Sequence, residues 1–254
     1  MEYTHRQQRE AFHLVFLERF SKQTDSSLFV LKGGLNLRFF FNSPRYSEDM
    51  DFDVLGGSVE TLRRNGYRIL NDRAFIRSLA AFGITDLLVN DPQSAKHTQT
   101  TQRFRARLVT TAGEIWPTKV EFSRRASAGE HLVEPVSPQV VRPYQRLALP
   151  CRHYGARSAV LQKIKALADR AEPQIRDAFD IYVLWLGGHC RNDVGESIEP
   201  TSRDRALENL LALDYADYEG QVLDYLEADA RRRFQGADVW GDINETVLGL
   251  IEGH

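Results

Sequence analysis

Cysteine is almost absent: Cys151 and Cys190 are the only two in 254 residues. Two cysteines cannot build a disulfide framework, and this pair is not spaced like a zinc site. No run approaches eighteen consecutive apolar residues, so nothing in the sequence reads as a membrane span. The opening Met1-Glu-Tyr-Thr-His-Arg-Gln-Gln has no apolar core of the kind a signal peptide needs. Internal repeats and low-complexity tracts are missing too. These absences leave a cytoplasmic enzyme, with no membrane attachment, as the expectation. What is present is ordinary for a globular protein: 42% hydrophobic and 27% charged residues, with length for one large domain or two modest ones.

The net charge of −2 conceals an asymmetry. Residues 1–92 balance, with 12 basic and 12 acidic side chains. Residues 93–170 carry 14 basic against 5 acidic, and residues 171–254 carry 7 basic against 18 acidic. A basic middle of that size attracts a polyanion such as a nucleic acid, unless the two regions neutralise each other internally. Charge alone leaves both readings open.

Periodicity divides the chain into an α/β part and a helical part. Residues 5–22 carry apolar side chains at helical spacing, and Leu28-Phe-Val-Leu reads as a short strand. Gly33-Gly34 follows, then a helix from Leu35, a turn at Asn42-Ser43-Pro44, and an alternating strand over 49–54. Helical patterning returns over about 58–82, and further strands are expected near 84–90, 101–111 and 117–123. A Pro-rich passage (Pro135, Pro138, Pro143, Pro150) precedes a pattern that is helical almost to the end, broken near Pro173, Gly187-Gly188, Pro200 and Gly236. The expected fold is α/β (α+β), with a mainly antiparallel or mixed sheet in residues 1–145 and an α-helical domain in 146–254.

Chemistry concentrates in Asp49-Met-Asp-Phe-Asp-Val. Alternate strand residues share a face, so Asp49, Asp51 and Asp53 point one way and Met50, Phe52 and Val54 the other. Three neighbouring carboxylates repel unless positive charge lies between them. Magnesium, which takes oxygen ligands and typically one or two carboxylates plus phosphate oxygens, supplies it. A solvent-exposed acidic edge strand is the plain alternative, yet Asp is a poor strand former, so three in five residues point to a use. Lys119-Val-Glu-Phe-Ser repeats the alternation, with Lys119, Glu121 and Ser123 on one face. Beside the first strand, Glu121 would complete a three-carboxylate cage; by itself the segment is an ordinary amphipathic strand.

Gly33-Gly34, between strand and helix, allows close backbone approach and offers free N–H groups at a helix N-terminus, a cradle for a triphosphate with Lys32 adding charge. Further on, Lys165 and Asp169 are four apart and Asp177 and Asp180 three apart, each pair neighbouring on a helix. Lys165 and Asp169 read as an intrahelical ion pair. Lys165 and Arg176 can instead reach nucleotide phosphates, with Asp177 and Asp180 holding those cations or capping a neighbouring element. Arg103, Arg105 and Arg107, on alternate positions of one strand, form either a track for an acceptor backbone or a solvated face.

In order, Leu31-Lys-Gly-Gly-Leu-Asn-Leu-Arg38, Arg45-Tyr-Ser-Glu-Asp-Met-Asp-Phe-Asp53, Lys119-Val-Glu-Phe-Ser123 and Lys165…Arg170…Arg176-Asp-Ala-Phe-Asp180 resemble the AbiEii/AbiGii nucleotidyltransferases. These are toxin components of bacterial type IV toxin–antitoxin and phage-abortive-infection systems, and they include the mycobacterial MenT toxins. The resemblance covers roughly residues 28–186, and the last seventy residues carry no family signature. It implies a DNA polymerase β-like nucleotidyltransferase fold with a helical C-terminal domain, and transfer of a nucleoside monophosphate from an NTP with release of pyrophosphate. Some relatives add pyrimidine nucleotides to the acceptor end of tRNA, which blocks translation. By position, Asp49 and Asp51 would hold magnesium (or manganese), with Glu121 as a third ligand or as the base. Lys32, Gly33, Gly34 and Ser47 would bind the triphosphate, while Lys165 and Asp180 match the family's later motif, Lys165 as a phosphate contact. An NTP, an RNA acceptor and an antitoxin encoded nearby are the implied partners. A protein hydroxyl as acceptor, or a nucleotide-binding regulatory module without turnover, are the rival readings.

Overall fold

The computed structural model describes residues 2–92, 97–125, 129–190 and 192–253. They form two compact units, Met1–Phe40 with Tyr46–Tyr154 and Phe41–Arg45 with Gly155–His254.

In the first unit the chain runs α1 (His5–Gln23), β1 (Phe29–Lys32), α2 (Gly33–Phe40), β2 (Asp49–Val54), α3 (Val59–Leu70) and α4 (Arg73–Leu79). It continues through β3 (Ile84–Val89), β4 (Thr101–Thr110), β5 (Ile115–Ser123), β6 (His131–Pro135), α5 (Pro138–Val141) and β7 (Pro150–Tyr154). Thr4 starts α1 with a capping box: its hydroxyl accepts from the Gln7 N–H while the Gln7 side chain answers the Thr4 N–H. The seven strands form one mixed sheet in the order β3-β4-β5-β2-β1-β7-β6. β2 pairs in parallel with β5 and antiparallel with β1, and β1 pairs in parallel with β7.

One face of this sheet is apolar and covered. Met50, Phe52, Phe104, Val120 and Phe122 are buried there with Phe12, Phe16 and Phe20 of α1 and Phe75 of α4. Phe52 and Phe122 stack at 5.0 Å across β2 and β5, and Phe20 meets Phe122 at 5.1 Å. α3 packs so tightly that a Cβ on Gly66 would come within 2.5 Å of the Phe104 ring, which is why glycine stands in that helix. A one-residue slip of β2 would exchange Phe52 for Asp51 in this aromatic layer, so the core fixes the register that aligns the carboxylates.

β6 and β7 lie in the Pro-rich passage, where alternation is too short to read as strands. The prolines fall at the ends of the pair, Pro135 opposite Pro150, where their missing N–H groups cost least.

The second unit is helical: α6 (Ala156–Asp169), α7 (Ile175–Leu186), α8 (Pro200–Leu211), α9 (Tyr215–Gln221), α10 (Ala228–Phe234) and α11 (Ala237–Glu252). Val160, Ile164, Leu167, Phe179, Leu184, Tyr218, Trp240 and Ile243 are buried in it, with Tyr218 stacked on Trp240 at 5.4 Å. Gly187 caps α7, Pro200 opens α8 and Gly236 precedes α11. No helix among the described residues is long and apolar enough to cross a membrane.

Candidate active site

The sheet face opposite the aromatic layer is a ladder of charges. β2 and β5 run in register, setting Asp49 beside Lys119, Asp51 beside Glu121 and Asp53 beside Ser123. β4 continues the rungs with Arg105 beside Lys119 and Arg103 beside Glu121, and β1 sets Lys32 beside Asp51. Partners in register share a face, so strand pairing alone gathers four carboxylates and four cations.

Three of the four carboxylates meet a cation within the ladder. Lys119 Nζ lies 2.6 Å from Asp49 Oδ2, and Arg103 Nε 2.5 Å from Glu121 Oε2. Asp53, fully buried, accepts from Lys32 Nζ at 2.5 Å and from the Tyr154 hydroxyl at 2.7 Å. Asp51 has neither a hydrogen bond nor an ion pair with any described residue. Burial pushes its pKa up; Lys119 pulls it down, Asp49 and Glu121 raise it further, and Lys32 opposes them. The result is a carboxylate whose charge lacks a close partner.

Gly33 adjoins Asp51. It has φ +70°, and a Cβ there would lie 3.2 Å from Asp51 Oδ2. Both the backbone angle and the close approach favour glycine, and Gly33-Gly34 opens α2 with N–H groups that the helix leaves unpaired. Ser47 donates its hydroxyl to the Asp49 carbonyl at 2.9 Å, fixing the entry to β2. On the other side of Asp49 a cleft of about 430 Å³ opens, lined by Asp49, Lys119, Arg105, Arg107, Leu88 and Asn90 among others.

Whether these residues fit a divalent ion turns on Asp51. Among the described residues, no three acidic, histidine or cysteine side chains converge closely enough to enclose an ion. Glu121 faces Arg103, so a three-carboxylate cage of Asp49, Asp51 and Glu121 is not formed in this arrangement. Two adjacent carboxylates, one of them without a cation of its own, do fit magnesium, which needs only one or two protein carboxylates when phosphate oxygens complete its shell.

In the second unit, Asp180 and Asp177 of α7 are buried with Arg45 and Lys163. Arg45 Nη2 reaches both Asp180 oxygens, at 2.9 and 2.8 Å. Lys163 Nζ lies 2.6 Å from Asp180 and 2.9 Å from Asp177, and Arg170 adds a contact to Asp177 at 3.2 Å. Burial alone would raise the Asp180 pKa, but Arg45 and Lys163 outweigh it and hold the carboxyl below its ordinary value.

Comparison with known proteins decides what this site belongs to. Residues 15–239 match the family described as nucleotidyl transferase AbiEii toxin, type IV TA system. The chain belongs to the AbiEii family. It is therefore a nucleotidyltransferase of the toxin–antitoxin class, acting on an NTP, and membership implies a cognate antitoxin. Among curated proteins, none matches it as a relative. Among solved structures it is similar to JHP933 from Helicobacter pylori, with TM-score 0.56 and 18% identity over 99% of this chain and 95% of that one. A putative nucleotidyltransferase from H. pylori gives 0.55 and 19%, over 96% and 95%. MenT4, a nucleotidyltransferase toxin from Mycobacterium tuberculosis H37Rv, gives 0.55 and 18%, over 95% and 92%. At such identities the likeness shows a shared fold, and that fold is the mixed α/β architecture expected from the pattern.

Within this AbiEii chain the first unit brings Lys32, Gly33, Gly34, Ser47, Asp49, Asp51 and Glu121 together around β2. The later residues are distributed differently. Lys165 is 73% exposed and bonds Asp169 at 2.5 Å, the plain intrahelical pair. Arg176 is partly buried on α7, one residue before Asp177. Asp180 is held by Arg45 and by Lys163, which is 11% exposed. Arg45 and Lys163 have no role that local spacing assigns. A signal for Lys163 was present: it falls on the apolar row of Val160, Ile164 and Leu167 at helical spacing, where a lysine needs a buried partner.

Proposed function

We propose that this enzyme transfers a nucleoside monophosphate from an NTP to the 3′ end of tRNA, with magnesium held by Asp49 and Asp51, and that the added nucleotide blocks translation. The observation carrying this reading is the placement of Gly33 directly against Asp51. A turn built for phosphates and a carboxylate without a close cation partner share one spot.

The roles follow from the ladder. The free N–H groups of Gly33-Gly34 and the Lys32 ammonium bind the triphosphate. Asp53 and Tyr154 hold Lys32 in place. Bound magnesium supplies charge neutralisation for the leaving pyrophosphate and acidifies the attacking hydroxyl. Glu121, two strand positions from Lys119 on the same face, serves as the base that takes the hydroxyl proton or as a third ligand only once it is released from Arg103. Ser47 keeps Asp49 in position by donating its hydroxyl to the Asp49 carbonyl, and only when rotated away from it can that one proton serve a phosphate. A nucleotide added to the acceptor end buries the terminus that aminoacylation needs, and that makes the transfer toxic.

Incubation of the purified chain with each labelled NTP, magnesium and total tRNA tests the reading. Label on the tRNA 3′ end is the expected result. Label on lysate protein would shift the acceptor to a protein hydroxyl, and NTP binding without transfer would reduce the chain to a regulatory module. Either sinks the tRNA reading.

A further inference from the structure

Cations in the ladder divide into those already engaged and those that are not. Lys32, Lys119 and Arg103 each face a carboxylate. Arg105 and Arg107 are exposed, and neither guanidinium has a hydrogen-bond or ion-pair partner among the described residues. Both line the 430 Å³ cleft that begins at Asp49 and Lys119.

We propose that this cleft is the acceptor site, taking the single-stranded 3′ end of an RNA with its phosphodiesters on Arg105 and Arg107. The inference rests on the transfer reading above and adds where the second substrate lies. Strand order is the first argument. β2 stands between β1, which leads into Gly33, and β5, whose other neighbour is β4. The triphosphate cradle and the arginines therefore lie on opposite sides of Asp49 and Asp51, as donor and acceptor must for in-line attack between them.

Chemistry separates the two sides as well. The cradle has a helix N-terminus and a positive-φ glycine. The cleft has neither: strand side chains line most of it, with Asn90 and Glu48 at strand ends and Glu48 engaged by Arg9, and two separate guanidiniums suit a chain of single phosphates better than a compact triphosphate. Arg105 and Arg107 are two residues apart on a strand, hence roughly 6.5–7 Å apart along it, so the two can meet successive groups of an extended backbone. Beside Arg107, Leu88 is 39% exposed and gives the cleft an apolar wall against which a base or ribose can lie. A volume of about 430 Å³ falls in the range of ordinary ligand pockets, enough for a terminal nucleotide.

The test compares wild type, R105E/R107E and R105K/R107K, using fluorescein-labelled tRNA and anisotropy across a salt series. Both positions are exposed, so folding should survive; circular dichroism and the thermal shift given by a magnesium–NTP mixture check this. The glutamate pair should lose about tenfold or more in RNA affinity at 0.1 M salt, with the log–log salt slope shallower by about 1.4, or 0.7 per phosphate contact. The lysine pair should stay close to wild type, and the NTP-induced shift should persist in all three. Unchanged RNA affinity in the glutamate pair overturns the proposal. So does loss of the NTP shift in place of RNA binding, and so does a wild type that does not bind tRNA. Labelled-NTP transfer by the wild type is scored separately. Transfer to RNA with unchanged affinity in the variant dismisses the cleft and keeps the reading. RNA affinity that depends on the arginines, without any transfer to RNA, keeps the cleft and dismisses the reading.

Discussion

Asp51 and Glu121 stand directly opposite each other on parallel strands, and only Glu121 has a cation to itself. The consequence is an Asp51 whose ionisation opposes folding and which awaits a ligand. Its folded pKa is raised, so the folded state holds a proton that the unfolded chain releases at lower pH. Stability is then lost as pH rises from the unfolded carboxylate range through the raised folded value. Asp51→Asn should unfold at a higher temperature than wild type at pH 7, with the gain shrinking toward pH 4. Magnesium should stabilise the wild type and not the variant. Transfer should fall by about a thousandfold, since charge stabilisation at the reacting phosphate is removed. A variant with lower Tm at pH 7 would show that Asp51 is already satisfied.

Gly33 offers a second test, because two constraints meet in one residue. Gly33→Ala places a side chain at φ +70° and sets its Cβ against Asp51. The backbone alone costs about 1–2 kcal/mol, and the displaced carboxylate should lower kcat as well as stability. Gly34→Ala, whose φ is not positive, should cost less in Tm. Equal losses for the two would remove the special standing given to Gly33.

Asp53 separates holding Lys32 from holding a metal. Its carboxylate is fully buried between Lys32 and Tyr154, so Asp53→Asn should free Lys32 and raise KM for NTP about tenfold, or ~1.4 kcal/mol. Tyr154→Phe removes one hydrogen bond, worth about 1 kcal/mol in stability, and leaves the Lys32 pair. Its KM should move little. If Asp53→Asn instead shifts the magnesium requirement at constant KM for NTP, Asp53 is a ligand.

In the second unit, buried and exposed lysines make opposite predictions. Lys163→Met leaves two buried aspartates short of a cation and should destabilise by about 3–5 kcal/mol. Lys165→Ala removes only an exposed pair and should stay within about 0.5 kcal/mol of wild type. A fall in transfer by Lys165→Ala at unchanged Tm would therefore report the phosphate contact that the family resemblance assigns it. The Asp180 carboxyl is held low, so its stabilising contribution is present above the unfolded carboxylate range and fades as pH falls through the lowered value. Urea titrations between pH 2 and 7 read this directly, and Asp180→Asn should flatten the dependence.

Local pattern was enough for much of this protein. Period-two alternation placed Asp49, Asp51 and Asp53 on one face, and the strand β2 spans Asp49–Val54 as the alternation indicates. The breaks at Gly187, Pro200 and Gly236 were equally legible, since glycine and proline act through their own backbone geometry. Lys165 with Asp169 was visible for the same reason, because neighbours on a helix are neighbours in sequence.

What sequence could not supply was pairing at a distance. That β5 lies parallel to β2 and in register, that β6 and β7 extend the sheet from a Pro-rich stretch, and that Lys119 meets Asp49 all depend on which strands the aromatic core brings side by side. Arg45 and Asp180 lie 135 residues apart and become partners only once helices pack. The residues and their faces come from spacing along the chain; the division of labour among the carboxylates, with Asp51 left open and Asp53 engaged, comes from burial and cross-strand charge. Those are properties of the packed sheet, and no local stretch of sequence contains them.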